Sequence, residues 1–530
     1  MRTENVSRAV LTAGVGAVLA ATALLYAPDL APGLFGDGKP PAPGPAERAV
    51  LAANAGAQAS LPDLGALIGD REKWLKDHPT DETSWAVLGA AYTERGTRLG
   101  DASYYPRAER ALKRSLEVRP ASRGNLDAQL GLGALANARG DWETARTWGE
   151  AVRAKSPKRW PVYPVLIDAY NGLGDYKAAR QALSALEELH SGAAVSTRVA
   201  QGYRNRGWRE DAAVAALDAV ARAETGAEKA AAYARLGDLA WERGEPEEAV
   251  TEYGSALRLV RDHGPSLAGR ARALAALDRT DEAILDYRAA LARLPRPEYV
   301  LEAGELYESL GLDGEARAQY EVLRSGSWAG GEVVLGLFEA DHGDAAAAVR
   351  MLKAEWARGH RSVQMADALG WALFRAGEPK EALGYARRAT EEGLRSALFS
   401  YHRGEIERAV EEYGPARRHL AEALRINPDF SPLLAPRARQ SVRELGDPPD
   451  TLPEELREAP PTPPKSSEAP KSPKSSEAPE APEAPEAPGT PESSETPVAA
   501  GTPVAPRNPV GGNGSAGRRS SGATPAGAGA

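Results

Sequence analysis

The side chains able to do chemistry are few, and their spacing argues against catalysis. Seven histidines, His78, His190, His263, His342, His360, His402 and His419, fall in no H-x-x-x-H or other zinc spacing, so no pair of ring nitrogens is set to meet on one helical turn. They read as surface or packing residues. Glu247-Glu248 and Glu391-Glu392 look like paired carboxylates, but adjacent helical side chains diverge by about 100 degrees, which suits solvated charges at helix ends better than an acid and base sharing one substrate. Gly131-Leu132-Gly133-Ala134-Leu135-Ala136 fits the loose dinucleotide pattern G-x-G-x-x-A. That motif needs strand, turn and helix in order, and no strand precedes it. There is no G-K-[ST] phosphate loop and no G-x-S-x-G nucleophile turn. Cysteine is absent, which excludes disulfides, thiolate metal sites, a Cys nucleophile and a lipobox anchor. No catalytic residue, metal or cofactor is expected.

The elements that hold these residues are short helices in pairs. From Tyr233 to Leu259 the chain reads YARLGDLAWERGEPEEAVTEYGSALRL. Tyr233, Leu236, Gly237 and Ala240 share one helical face, and Ala249, Tyr253, Ala256 and Leu257 share another. Gly244 separates the two. Pro246 can open a helix without losing a needed N–H, and Glu247 and Glu248 suit the positive first turn.

The pair recurs. A small residue marks each second helix at Ala108, Ala145, Ala179, Ala212, Ala249, Ala283, Ala316, Ala348, Ala382 and Ala416, in steps of 32 to 37. Twelve positions before the marker stands a small or apolar residue, such as Gly133, Gly237, Gly304, Gly370 and Gly404. Tyr253, Tyr287 and Tyr320 lie four after it, and Pro120, Pro157, Pro295 and Pro428 lie twelve after it, where proline ends a helix.

A period near 34 built from helix pairs resembles the bacterial tetratricopeptide-repeat (TPR) family over roughly residues 60 to 440. The resemblance implies an all-α fold, a right-handed superhelical solenoid of about ten helix hairpins. It also implies a ligand-facing groove lined by the first helix of each repeat, at the position after the small residue and three further on. Those positions hold Asp168 and Asn171, Gln201 and Arg204, Asp238 and Trp241, Arg272 and Ala275, Glu305 and Glu308, and Trp371 and Phe374. Asp168, Asp238, Glu305 and Glu308 make an acidic track broken by Arg204 and Arg272, readable either as a contact surface or as solvated charge. Trp371 and Phe374 read either as peptide anchors or as packing between the last repeats. The Lys and Asn with which some TPR domains grip a terminal carboxylate are missing from the corresponding positions. A protein or extended peptide partner is implied.

The ends of the chain are different in kind. Residues 1–8 are polar, and residues 9–27, AVLTAGVGAVLAATALLYA, carry no charge, long enough for a single membrane span. Arg2 and Arg8 before this run favour a cytoplasmic amino terminus with the array outside. The A-x-A sequence Ala21-Thr22-Ala23 offers a cleaved signal peptide as the alternative, although Leu24, Leu25 and Tyr26 continue the apolar run. Residues 28–60 read as a flexible tether, 61–81 as a capping half-repeat with Leu64, Leu67, Ile68 and Leu75 on its apolar side, 82–428 as the array, and 429–445 as a terminal cap. Residues 446–530 hold 19 of the 41 prolines and near-repeats of KSSEAP, a composition too poor in large apolar groups to offset chain entropy, so disorder is expected there. The net charge is −9, and the tail contributes −5 of it from 12 acidic and 7 basic residues. The array is therefore nearly balanced, with no basic excess pointing to nucleic acid. Together these readings describe a non-enzymatic scaffold or adaptor at the outer face of a membrane. The alternative is a chaperone-like or accessory peptide-binding subunit of a transport, secretion or envelope-biogenesis complex.

Overall fold

The structure is a computed structural model, and it describes residues 43–446 apart from 327 and 329. The chain divides into Met1–Asp450 and Thr451–Ala530, and the second unit lies outside the described residues. So do residues 9–27. Among the described residues there is no strand, and no helix is long and apolar enough to cross a membrane.

Among the described residues twenty-three α-helices run in sequence. They begin α1 (Pro45–Asn54), α2 (Leu61–Asp77), α3 (Glu82–Leu99), α4 (Tyr105–Val118), α5 (Leu126–Ala138), α6 (Trp142–Lys155), α7 (Val162–Gly172) and α8 (Tyr176–Leu189). The middle of the array is α9 (Ala193–Arg204), α10 (Arg209–Arg222), α11 (Gly226–Glu242), α12 (Pro246–Leu259), α13 (Gly264–Ala276), α14 (Thr280–Arg293), α15 (Pro297–Ser309) and α16 (Asp313–Ser325). It ends with α17 (Glu332–His342), α18 (Ala345–Ala357), α19 (Val363–Arg375), α20 (Pro379–Glu391), α21 (Ala397–Ala409), α22 (Tyr413–Ile426) and α23 (Leu434–Leu445).

Each marker alanine sits in the second helix of a pair and is buried. The reason is close approach of two backbones. A methyl group on Gly237 would lie 2.7 Å from the Tyr253 ring, and one on Gly304 would lie 2.5 Å from Tyr320. Glycine in the first helix therefore makes the space that the aromatic of the second helix fills. Helix starts carry their own signals: Asp81, Asn125, Asp141, Asp175, Ser362 and Ser396 each accept a backbone N–H in the first turn, and Thr225 with Glu228 forms a reciprocal capping box.

One boundary differs from the sequence reading. The expected tether 28–60 contains α1, which starts at Pro45 and buries Ala49 and Ala53, so the expected half-repeat 61–81 is the second half of a complete helix pair. An alanine pair buries too little area to announce itself in a Pro- and Ala-rich stretch. The terminal cap is helical as α23, with Leu434, Ala435 and Ala438 buried on the preceding repeat.

The array winds back against itself. Arg361 N–H donates to the Gly172 carbonyl at 2.8 Å. Val363 N–H donates to the Tyr176 hydroxyl at 2.7 Å, across 187 residues. The Asn427 amide donates to the Trp241 carbonyl at 2.8 Å, across 186 residues. Val363, Ala366, Ala389, Leu394 and Phe399 join the same apolar cluster as Val165, Leu166, Leu183 and Leu186. Successive turns thus meet after about five and a half repeats, and the contact is made by the turns at Gly174, Gly207 and Gly244. All three glycines have positive φ, 71, 73 and 77 degrees, and they abut Arg361, Gly393 and the 426–428 segment respectively.

Candidate partner-binding groove

The first helices of the central repeats place the charged groove residues Asp168, Arg204, Asp238, Arg272 and Glu308 in ion pairs or hydrogen bonds, Glu305 excepted. Arg198 holds Asp168 at 2.8 Å. Arg204 clasps both carboxylate oxygens of Glu242, its Nε donating at 2.8 and 2.6 Å. Asp238 accepts from the Tyr253 hydroxyl at 2.7 Å. Arg272 pairs with Glu302 at 3.1 Å and sits 5.7 Å from the centre of the Trp241 ring, while the Tyr287 hydroxyl donates to Glu302 at 3.2 Å. Glu308 accepts from the Tyr320 hydroxyl at 2.7 Å and faces His342. Asn171 and Gln201 are buried, with the Gln201 amide bonded to Asn205.

The electrostatics follow from this crowding. Burial opposes the charge on Arg272, and the Glu302 carboxylate with the Tyr253 and Tyr287 rings outweighs it, so the guanidinium pKa is raised. Burial raises the Glu302 carboxyl despite Arg272. Burial pushes Glu305 up to about 8, helped by the negative charges of Asp341, Glu302 and Glu308. Among the described residues Glu305 has no hydrogen-bond or ion-pair partner. A carboxylate in that position is poorly solvated and surrounded by like charge.

Trp371 and Phe374 belong elsewhere. Trp371 is 2% exposed, stacks on His402 at 4.1 Å and donates its indole N–H to Asp341 at 3.0 Å. Phe374 packs beside it at 5.1 Å, on the same apolar cluster. Of the two readings left open for Trp371, its surroundings fit packing: its faces are taken by His402, Tyr401 and Phe374. Helical spacing alone cannot tell a groove position from a buried one when the next repeat folds over it.

The groove closes into a cavity of about 480 Å³ where α9, α11, α13 and α15 face the following turn. Arg204, Trp241, Arg272 and Glu305 line one wall. Arg395, Ser396 and Leu398 with Asn427, Phe430 and Arg439 line the other. The second wall and the paired residues Glu242 and Glu302 were missed by sequence reasoning. Glu302 shares a helical face with Glu305, so the i, i+3 spacing was the available signal. The opposite wall carries no local signal, because it arises from the winding of the whole array.

The family model for the tetratricopeptide repeat matches residues 93–159, 209–263 and 368–429. No curated protein matches. Among solved structures the chain is similar to the APC/C hetero-tetramer Cut9-Hcn1, at 15% identity over 76% of this chain and 84% of that one, with a TM-score of 0.37. It is also similar to a tetratricopeptide repeat protein from Parabacteroides merdae, at 19% identity over 46% of this chain and 95% of that one, TM-score 0.30. A third is the human IFIT1 dimer with PPP-AAAA, at 14% identity over 69% of this chain and 89% of that one, TM-score 0.40. The three matched stretches fall on in-phase helix pairs, and these stretches carry the tetratricopeptide repeat.

Proposed function

We propose that the chain is a non-enzymatic scaffold that holds a protein partner in the groove of its repeats, tethered at the extracytoplasmic face of a membrane by residues 9–27. Repeats of this kind are protein–protein interaction modules, and specificity in them lies in a few groove side chains rather than in the fold. The observation that carries the reading is the run of charged side chains that the first helices of α9, α11, α13 and α15 direct into one cavity. A peptide in extended form can meet such a run residue by residue, with charge complementarity setting register and partner choice. The uncharged segment 9–27 and the arginines that precede it support the tether.

The test is crosslinking in membranes followed by purification of the full chain. Recovery of a defined protein partner, with the chain in the membrane fraction, is the expected result. Intact chain found only in the cytosol, with no partner crosslinked, contradicts the proposal. The chaperone-like alternative drew on Trp371 and Phe374 as peptide anchors, and the burial of Trp371 leaves it without that support.

A further inference from the structure

We infer that the cavity between successive turns is a subsite for a basic side chain, lysine or arginine, of an extended protein partner, with the Glu305 carboxylate as its counter-ion.

Each arginine on the cavity wall is already committed to a carboxylate: Arg204 to Glu242, Arg272 to Glu302, Arg439 to Asp429 and Arg395 to Glu422. What remains without an ion-pair or hydrogen-bond partner is Glu305, inside, which feels the charge of Arg437 on α23 but makes no ion pair with it, and Asp278, exposed at the mouth. An acidic or neutral side chain entering here would leave Glu305 as it is, crowded by Glu302 and Glu308 on its own helix and by Asp341 from α17. A cation relieves that crowding and supplies the missing partner. The wall adds Leu306, Ala275, Ala276 and Phe430, apolar surface suited to the methylene stem of a long basic side chain whose charged head reaches inward. The volume, about 480 Å³, lies in the range of ligand pockets. This subsite is more than the open concave face of one repeat: its far wall comes from α23 and the turn before α21, brought there by the winding of the array.

A proton should accompany the event. Burial and the neighbouring charges of Asp341, Glu302 and Glu308 set the Glu305 carboxyl near 8, against a counter-charge from Arg437 on α23, so at neutral pH an arriving cation displaces a proton. Affinity then rises with pH between about 6 and 9, below the range in which lysine itself loses its charge.

The inference presupposes that a partner peptide occupies the groove. The experiment uses the full chain and a library of extended peptides whose central residue is Lys, Arg, Gln, Glu or norleucine, titrated by fluorescence anisotropy at pH 6 and pH 8.5, with free spermidine as a separate arm. Lys or Arg peptides are expected to bind at least tenfold more tightly than the norleucine and Glu peptides at pH 8.5. Glu305→Gln is expected to erase that preference while keeping the helical circular-dichroism spectrum. Peptide binding without a basic preference, or a preference unchanged in Glu305→Gln, overturns the subsite and leaves the scaffold standing. Binding of no peptide at all counts against both. Spermidine binding as tightly as the best peptide overturns the assignment to a partner side chain.

Discussion

The Arg361 amide donates to the Gly172 carbonyl at 2.8 Å, joining the last turn of α7 to the loop before α19 across more than five repeats. Two residues on, the Val363 amide donates to the Tyr176 hydroxyl, whose burial raises its pKa. A linear stack of helix pairs has only nearest-neighbour interfaces. These bonds add a second class of interface, between turns, and it is this class that gives the open groove a second wall.

The glycines at the inter-turn contact give the first expectation. Gly174 has φ 71 degrees, and a methyl group there would meet the Arg361 carbonyl; Gly140, with φ 73 degrees, has open space at the same place. Gly140→Ala should cost only the left-handed backbone penalty, about 1 to 2 kcal/mol. Gly174→Ala should cost more and should also part the turns. Chemical denaturation measures the first effect and small-angle scattering the second, as an increase in radius of gyration confined to Gly174→Ala. Identical scattering from both variants would remove the contact from the account.

Glu305 gives a pH dependence with a definite sign. Its carboxyl titrates near 8 in the fold against 4.5 when free. Between those values the folded chain binds a proton that the unfolded chain does not, so this group lowers stability as pH rises through the window. Glu305→Gln should therefore be near neutral at pH 4.5 and stabilising above pH 8, by about 1 to 3 kcal/mol after allowing for partial solvent access. Urea denaturation of both chains at pH 5 and pH 8.5 checks it. Parallel stabilities at the two pH values would contradict the placement of Glu305 beside Asp341, Glu302 and Glu308.

Trp371 separates core from groove. Its ring is enclosed by His402, Tyr401 and Phe374, and its indole N–H is held by Asp341. Trp371→Ala should destabilise by about 3 to 5 kcal/mol without changing the affinity of the fraction that remains folded. Thermal unfolding and peptide titration at low temperature test the two halves. A loss of affinity at unchanged stability would return Trp371 to the ligand face.

The parts of the architecture legible from residue spacing were those set within one helix pair. Ala249 with Gly237 and Tyr253 encodes its own packing within 17 positions, so repeat phase could be read directly. The groove positions Arg204, Trp241, Arg272 and Glu305 could also be placed by repeat phase. What could not be read depends on the angle between repeats summed over the array. That sum brings Asn427 to Trp241 and Arg439 to the cavity, and it buries Trp371, which holds the repeat position that Asp238 holds in the groove. The helix at Pro45–Asn54 escaped for a different reason: its buried residues are two alanines, which carry little periodic signal.

The most direct measurement of the central claim, that the groove rather than the outer surface holds a protein partner, is site-specific photo-crosslinking in cells. A benzophenone amino acid is placed at Ala275, on the cavity wall, or at Val214, 67% exposed on a second helix. A defined protein adduct from Ala275, and none from Val214, is the result this account expects. Equal adducts from both positions, or an adduct from Val214 alone, would contradict it.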